Sequence, residues 1–328
     1  RSTMCTCITY DNGDFYFGRN LDLEYSFGER VVVTPRNFPL AFKRSEPLSS
    51  HYAMIGMASV MDNYPMYAEA VNEKGLGMAG LNFPGNAVYP KYSSKPHQIT
   101  PYEIIPWILG RCASVKEAAD LLKQTDLIGI PFTSEVPLAP LHFMIADRES
   151  VLVAEPEAEG LKLYVNPFGV LTNNPPFPFH VMNMQQYINL TPKSPENRFA
   201  SGLQLKPFGQ GMGAIGLPGD ASPASRFVRA AFLKWNASVP KEEKASVSQF
   251  FHILDGVAMV RGMVITEEGR ADITTYSCCA NTCTGVYYYK TYDNHRIQAV
   301  DMHRENLDGS QLISYGLSNE EDIRVVNA

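Results

Sequence analysis

The chain has 328 residues, 45% hydrophobic and 19% charged, with a formal net charge of -6 at pH 7. This composition suits a globular protein with a sizeable core, and the scattered Lys and Arg leave no basic face for nucleic acid. No apolar run approaches the ~20 residues of a membrane helix, so the reading is a cytoplasmic protein with neither nucleic acid nor membrane as partner. Arg1, Ser2 and Thr3 carry no apolar pattern and read as an expression scar before an initiator Met4, with one domain over 5–328. No charged-then-apolar leader precedes Cys5, so Cys5, Cys7, Cys112, Cys278, Cys279 and Cys283 read as free thiols. For the same reason the sequons Asn189-Leu190-Thr191 and Asn236-Ala237-Ser238 carry no weight.

In chain order, β-prone runs fill the first ninety positions: Cys5 to Tyr10, Phe15 to Gly18, Arg30 to Thr34, Tyr52 to Val60, Met66 to Val71 and Leu76 to Leu81. Turns such as Asp11-Asn12-Gly13 and Asn72-Glu73-Lys74-Gly75 favour hairpins and antiparallel pairing. Ser114-Val115-Lys116-Glu117 reads as a capping box opening a helix to about Lys123. Strands return at Leu141 to Ala146 and Val151 to Glu155. From Pro223 to Trp235, the residues Ala224, Phe227, Val228, Ala231, Phe232 and Trp235 follow the spacing of one helix face. Ser246-Val247-Ser248-Gln249 reads as the start of a helix to about Val260. Ile273 to Cys278, Val286 to Tyr292 and Ile297 to Met302 complete the strands. Strand blocks with helices grouped between them predict an α+β architecture of antiparallel sheets covered by helices.

Two motifs fail on context. Gly211-Met212-Gly213-Ala214-Ile215-Gly216 fits a dinucleotide fingerprint, but Pro207 and Leu217-Pro218-Gly219 break the strand and helix it needs, leaving a glycine-rich loop and no cofactor. Cys278, Cys279 and Cys283, with His295 and His303, lack the spacing of a zinc site and read as buried thiols, with no metal.

Cys5 is different because of its place. If removal of Met4 exposes it, one residue carries a thiol nucleophile and an α-amine whose ordinary pKa of about 7.7–8.0 suits general-base work. The alternative is a small apolar residue at the start of a strand. Arg19 and Asp22, in Phe17-Gly18-Arg19-Asn20-Leu21-Asp22, return along the hairpin towards Cys5. There Arg19 favours the thiolate and Asp22 accepts from the ammonium; an ordinary turn ion pair is the other reading. Arg226 lies in the opening turn of a helix capped at Ser222, where the dipole disfavours a cation and an acceptor or anion is needed. A surface salt bridge would also serve.

Taken together with Met4-Cys5-Thr6, Asn72-Glu73-Lys74-Gly75-Leu76-Gly77, Gly80-Leu81-Asn82-Phe83-Pro84, Leu171-Thr172-Asn173-Asn174-Pro175 and Pro223-Ala224-Ser225-Arg226-Phe227, these stretches resemble the choloylglycine hydrolases, in particular bacterial conjugated bile salt hydrolases. The motifs keep their order over the whole chain from Met4. The resemblance implies the αββα sandwich of the N-terminal nucleophile hydrolases, and hydrolysis of glycine- or taurine-conjugated bile salts through a thioester on Cys5. It also implies Arg19 and Asp22 as supports for the thiol and amine, Asn82 and Asn173 as oxyanion donors, and Arg226 as the active-site arginine. Leu21, Met61, Ala68, Phe132, Val136 and Leu141 match pocket-lining positions, where ordinary core packing is the alternative for each. The Gln185 to Asp220 segment resembles an assembly loop, which implies a homotetramer. Penicillin V acylase is the rival of the same fold, and Asn82 stands where such acylases tend to carry tyrosine. A catalytically silent precursor is the other alternative, if residues 1–4 stay attached. Gly211-Met212-Gly213 offers no cation to a sulfonate and favours glycine conjugates.

Overall fold

Gly13 sits at φ 84°, the left-handed conformation that a tight turn needs. It folds β1 (Met4–Asn12) against β2 (Asp14–Leu23) as an antiparallel pair. The strands that follow are β3 (Arg30–Thr34), β4 (Met54–Met61), β5 (Tyr64–Asn72), β6 (Gly77–Asn82), β7 (His97–Ile99), β8 (Thr125–Leu127), β9 (Leu141–Ala146), β10 (Val151–Glu157), β11 (Gly160–Val165) and β12 (Val170–Leu171). The last four are β13 (Ile273–Asn281), β14 (Val286–Thr291), β15 (Asn294–Asp301) and β16 (Ile313–Gly316). Helices are α1 (Ile104–Arg111), α2 (Val115–Leu122), α3 (Phe177–Met184), α4 (Pro223–Trp235) and α5 (Glu243–Asp255). This computed structural model describes residues 3–327; Arg1 and Ser2, the start of the stretch read as an expression scar, lie outside the described residues, as does Ala328.

Two antiparallel sheets form the centre, one of six strands ordered β12-β1-β2-β13-β14-β15 and one of eight ordered β11-β10-β9-β6-β5-β4-β3-β16. Helices α4 and α5 pack on the first sheet and α1 and α2 on the second, while β1 faces β6 across the middle. The layers therefore run helix, sheet, sheet, helix. One apolar core, with Cys5, Phe17, Leu81, Met144, Phe227 and Phe250, fills the space between the sheets and under α4 and α5. A second, with Val32, Trp107, Ile108 and Phe143, lies between the larger sheet and α1 and α2. Gly18 is fixed by strand proximity: a Cβ there would stand 1.9 Å from the Cys278 carbonyl oxygen.

Several sequence readings need correction. Ser246 opens no helix; α5 begins at Glu243 with Glu242 as cap, and Ser246 is buried inside it, accepting from Asn12 Nδ2 at 2.8 Å. That helix ends at Asp255, short of Val260, where Gly256 takes over the cap. On α4 the buried face is Arg226, Phe227, Val228, Ala230, Ala231 and Lys234, while Trp235 is 61% exposed. Cys283 is exposed in the turn between β13 and β14; the other five cysteines are buried, and all six are free thiols. The strands β7, β8, β11, β12 and β16 and the helices α1 and α3 had no sequence reading. Helix α1 is buried over Ile104 to Gly110, so it carries no polar stripe to announce it.

Candidate active site

Strand register alone places the hairpin residues. Cys5 pairs with Leu21, Cys7 with Arg19, Thr6 with Asn20 and Met4 with Asp22. Because side chains alternate along a strand, Cys5, Cys7, Arg19 and Leu21 share the face towards the larger sheet. There Arg19 Nη1 donates to the carbonyls of Gly80 at 2.6 Å and Ala68 at 3.0 Å. Thr6, Asn20 and Asp22 share the opposite face, towards α4 and α5, where Asn20 Nδ2 donates to the Leu254 carbonyl at 2.8 Å. The thiol of Cys5 and its main-chain nitrogen are thus served by different sets of residues.

Arg19 is fully buried and its Nη2 has no hydrogen-bond partner. Burial opposes its charge, but Cys5, Tyr276, Glu69 and Cys7 together hold its pKa above the ordinary arginine value. A guanidinium held beside a thiol favours the thiolate. Asp22 is also fully buried; its Oδ1 accepts from Thr274 Oγ1 at 2.6 Å and its Oδ2 has no partner. Burial pushes its pKa up to about 7, against the pull of Arg226, Thr274 and Arg19. Thr274 reaches Asp22 because the pairing of β13 with β2 slips between Thr274 and Tyr276.

Arg226 resolves the oddity of its helix position. Its Nε donates to the Ala221 carbonyl at 2.8 Å, Nη1 to the Cys5 carbonyl at 2.6 Å and to Thr6 Oγ1 at 2.8 Å, and Nη2 to Asn173 Oδ1 at 2.7 Å. The guanidinium folds away from the helix end into buried acceptors, so no surface salt bridge is involved. Ser222 occupies the cap position without a side-chain cap bond, and Asp220 accepts instead from Ser222 N and Ser225 Oγ.

β12 pairs with β1 through Cys7–Leu171, which carries Thr172 and Asn173 alongside Cys5. Asn173 Oδ1 accepts from Cys5 N at 3.2 Å as well as from Arg226, while its Nδ2 donates to the Asn82 carbonyl at 2.7 Å. Asn82, at the end of β6, donates through Nδ2 to the Thr3 carbonyl at 2.9 Å. With Thr3 and Met4 attached, the nitrogen of Cys5 is an amide and a main-chain carbonyl occupies the Asn82 donor. Cys5, Asn82, Asn173 and Arg226 are therefore joined by hydrogen bonds, with Arg19 and Asp22 on the two faces of the hairpin that carries Cys5.

The apolar positions divide. Leu21 and Ala68 belong to the core around Cys5, and Leu141 pairs with Asn82 at the edge of the site. Met61 pairs with Tyr64, whose ring lies 5.9 Å from that of Phe132, itself 5.2 Å from Tyr102. Phe132 and Val136 are half-buried on the 128–140 loop. Thr6, Thr274 and Asp272 escaped the sequence reading. Thr6 and Thr274 matter only through contacts made across sheets, and isolated threonines give no local signal. Asp272 is buried with neither carboxylate oxygen partnered; burial and then Glu24 push its pKa up to about 6. Among the described residues, no three His, Cys, Asp or Glu side chains gather to hold a metal ion. Gly211 to Gly216 forms a loop with one 3-10 turn at Met212–Ala214, in which Gly213 is buried, without the strand and helix of a dinucleotide site.

A two-sheet sandwich between helices, with a buried thiol at the start of its first strand, is the architecture of the N-terminal nucleophile hydrolases. The model of the linear amide C–N hydrolases, choloylglycine hydrolase family, matches residues 5–315. A bile salt hydrolase/transferase of Lactiplantibacillus plantarum is 47% identical over 99% of this chain and 100% of its own length. A conjugated bile acid hydrolase of Lactobacillus gasseri is 37% identical over 95% of this chain and 100% of its own. The crystal structure of a cysteine-to-alanine conjugated bile acid hydrolase from Clostridium perfringens superposes with TM-score 0.91 at 40% identity, covering 98% of this chain and 100% of that one. Penicillin V acylase from Agrobacterium tumefaciens shares the fold, at TM-score 0.73 and 18% identity over 95% of this chain and 90% of that one. The chain belongs to the choloylglycine hydrolase family.

The raised pKa of Asp22 has a stability consequence. A carboxyl whose folded pKa of about 7 lies above its unfolded value near 3.9 stabilises the fold at low pH and loses that contribution as pH rises through about 7. In chains shown by intact mass to retain Met4, adding Asp22→Asn should therefore change Tm more favourably at pH 8 than at pH 5. An equal or opposite pH dependence in thermal melts would contradict this account of Asp22.

Proposed function

We propose that this protein is a bile salt hydrolase, an amidohydrolase that cleaves the amide bond of glycine- and taurine-conjugated bile salts. What carries the reading is the hydrogen-bonded set of Asn82, Asn173 and Arg226 on Cys5, with Arg19 and Asp22 on the two faces of the same hairpin, in a chain whose full-length relatives bear that activity in their names. Removal of Met4 turns the nitrogen of Cys5 into an amine beside Asp22, whose unpartnered oxygen then has a donor. The same cleavage takes Thr3 off the Asn82 amide and frees that donor for substrate.

The Cys5 thiolate, favoured by Arg19, attacks the amide carbonyl of the conjugate. The carbonyl π electrons move onto oxygen, and the oxyanion is held by Asn82 Nδ2 and the second hydrogen of Asn173 Nδ2; loss of one such donor typically costs ~10²–10³ in rate. The α-amine of Cys5 takes up the thiol proton and delivers it to the leaving nitrogen, so glycine or taurine departs as an amine. A cholyl thioester remains, and water deprotonated by the same amine hydrolyses it. Asp22 orients the ammonium form, and Arg226 fixes Asn173 and the Cys5 carbonyl. Leu21, Met61, Ala68, Phe132, Val136 and Leu141 offer the apolar, adaptable wall that a steroid needs. The enzyme requires no cofactor in this scheme and works in the cytoplasm.

The 185–220 segment exposes Ile188, Phe199, Phe208 and Ile215, Phe208 being 93% exposed. An apolar arm of this kind calls for a partner surface, and we read it as the assembly loop of a homotetramer. Light scattering should give four chains per particle at micromolar concentration; a monomer would contradict that reading. On one preparation, glycocholate should be hydrolysed faster than taurocholate and far faster than penicillin V. A preference for penicillin V would overturn the substrate, and a preference for taurocholate only the choice of conjugate. Cys5→Ala should abolish all three activities.

A further inference from the structure

His142 and Glu155 lie in adjacent strands, β9 and β10, with both side chains fully buried. His142 Nδ1 stands 2.8 Å from Glu155 Oε2, and its Nε2 stands 2.9 Å from the Thr172 carbonyl oxygen. The ring lies flat on Phe83, with centroids 4.3 Å apart and planes 8° from parallel. One imidazole thus touches the residue before Asn173 and the residue after Asn82. The other Glu155 oxygen accepts from Phe177 N at 2.8 Å, at the start of α3.

Counting protons shows what this arrangement requires. A carbonyl oxygen can only accept, so Nε2 must carry hydrogen. A neutral imidazole then has no hydrogen on Nδ1, where an ionised carboxylate would meet it acceptor to acceptor. The geometry is satisfied only if the pair keeps one further proton, as imidazolium with carboxylate or as imidazole with carboxylic acid. Loss of that proton breaks one of the two bonds, in a buried place where an unsatisfied polar group is costly.

The Thr172–Pro175 segment is also held by Asn173, through Cys5, Asn82 and Arg226, and by Asn174, whose Nδ2 donates to the Pro84 carbonyl and to Asn86 Oδ1, each at 2.6 Å. Thr172 Oγ1 donates to the Pro223 carbonyl at 2.9 Å. His180 Nε2 donates to the carbonyls of Asn173 and Pro175, each at 3.1 Å, and its ring stacks on Phe227. Burial keeps His180 neutral, with its pKa lowered to about 4. The ionisable groups around the pair are His180 of α3 and Tyr164 of β11.

We propose that His142 and Glu155 form a proton-retaining clamp that positions Asn173, and through Phe83 Asn82, and so sets the rate of the chemical step without touching substrate. They are positioning residues. This rests on the reading of both asparagines as oxyanion donors, so the test separates the two ideas. His142→Phe keeps a ring on Phe83 and loses both hydrogen bonds. Glu155→Gln supplies a fixed donor to Nδ1 and an acceptor to Phe177 N, so the geometry survives without the shared proton.

With glycocholate, His142→Phe should lower kcat by about 10- to 100-fold, the scale of a misplacement near 1 Å, and leave KM within about three-fold. Alkylation of Cys5 by iodoacetamide should stay within about three-fold, since the thiol and Arg19 are untouched. Glu155→Gln should retain kcat within about three-fold. A His142→Phe enzyme with full kcat, or a Glu155→Gln enzyme as slow as His142→Phe, would overturn the proposal. Should the unsubstituted protein fail to hydrolyse glycocholate, the functional reading falls and amide exchange decides the clamp by itself. Exchange over residues 171–174 should accelerate in His142→Phe and stay unchanged in Glu155→Gln; equal protection in all three proteins would overturn it.

Discussion

The pairing register of β1 on β2 is the constraint from which the site follows. With Cys5 opposite Leu21 and Cys7 opposite Arg19, the guanidinium lies on the thiol side of the strand; with Met4 opposite Asp22, the carboxylate lies by the nitrogen. A slip of one residue would exchange the two faces and put Arg19 among the helices. Two features hold the register: the left-handed turn at Gly13, and Gly18, which lets β13 approach β2 where a side chain would strike the Cys278 carbonyl.

Placing ions in this interior is expensive, and the way the cost is offset separates the residues by role. Arg226 is surrounded by neutral acceptors, with four bonds to oxygen, and burial lowers its pKa, with Asp22 and then Cys5 opposing. Arg19 has neutral acceptors on one side only, leaving Nη2 unpaired. Asp22 likewise keeps one oxygen unpaired. Unpaired buried atoms of this sort are rare in a finished interior. Both lie on the hairpin that carries Cys5, where the amine and the substrate of the proposed reaction would supply the absent partners. A preorganised set of dipoles then needs little rearrangement during reaction, which is how electrostatic catalysis gains over water.

Much of this was legible in the chain. Alternating apolar residues and Asn-Gly turns announced the hairpins that form the central sheets, because those signals are local. Arg226 drew notice as a cation in a helix opening, which needs an acceptor or anion, but the sequence alone left a surface salt bridge as good an answer as the buried acceptors found. Other features left no such trace. Helix α1 is apolar on every side and so has no period, and Ser246 imitates a cap while serving as a buried acceptor for Asn12. Thr274 reaches Asp22 only through a slip in pairing with a strand some 250 positions away in sequence. His142 and Glu155 sit in strands that read as ordinary alternation; their bond to Thr172 exists only once three strands and a loop have met.

The account depends most on Cys5 acting as both nucleophile and amine. Intact mass of the purified enzyme, taken before and a few milliseconds after mixing with glycocholate and quenching in acid, tests both roles at once. The account predicts a chain that begins at Cys5 and, after quenching, a fraction carrying one cholyl group lost on treatment with hydroxylamine. Full hydrolytic activity in a chain that still carries Met4 would contradict it.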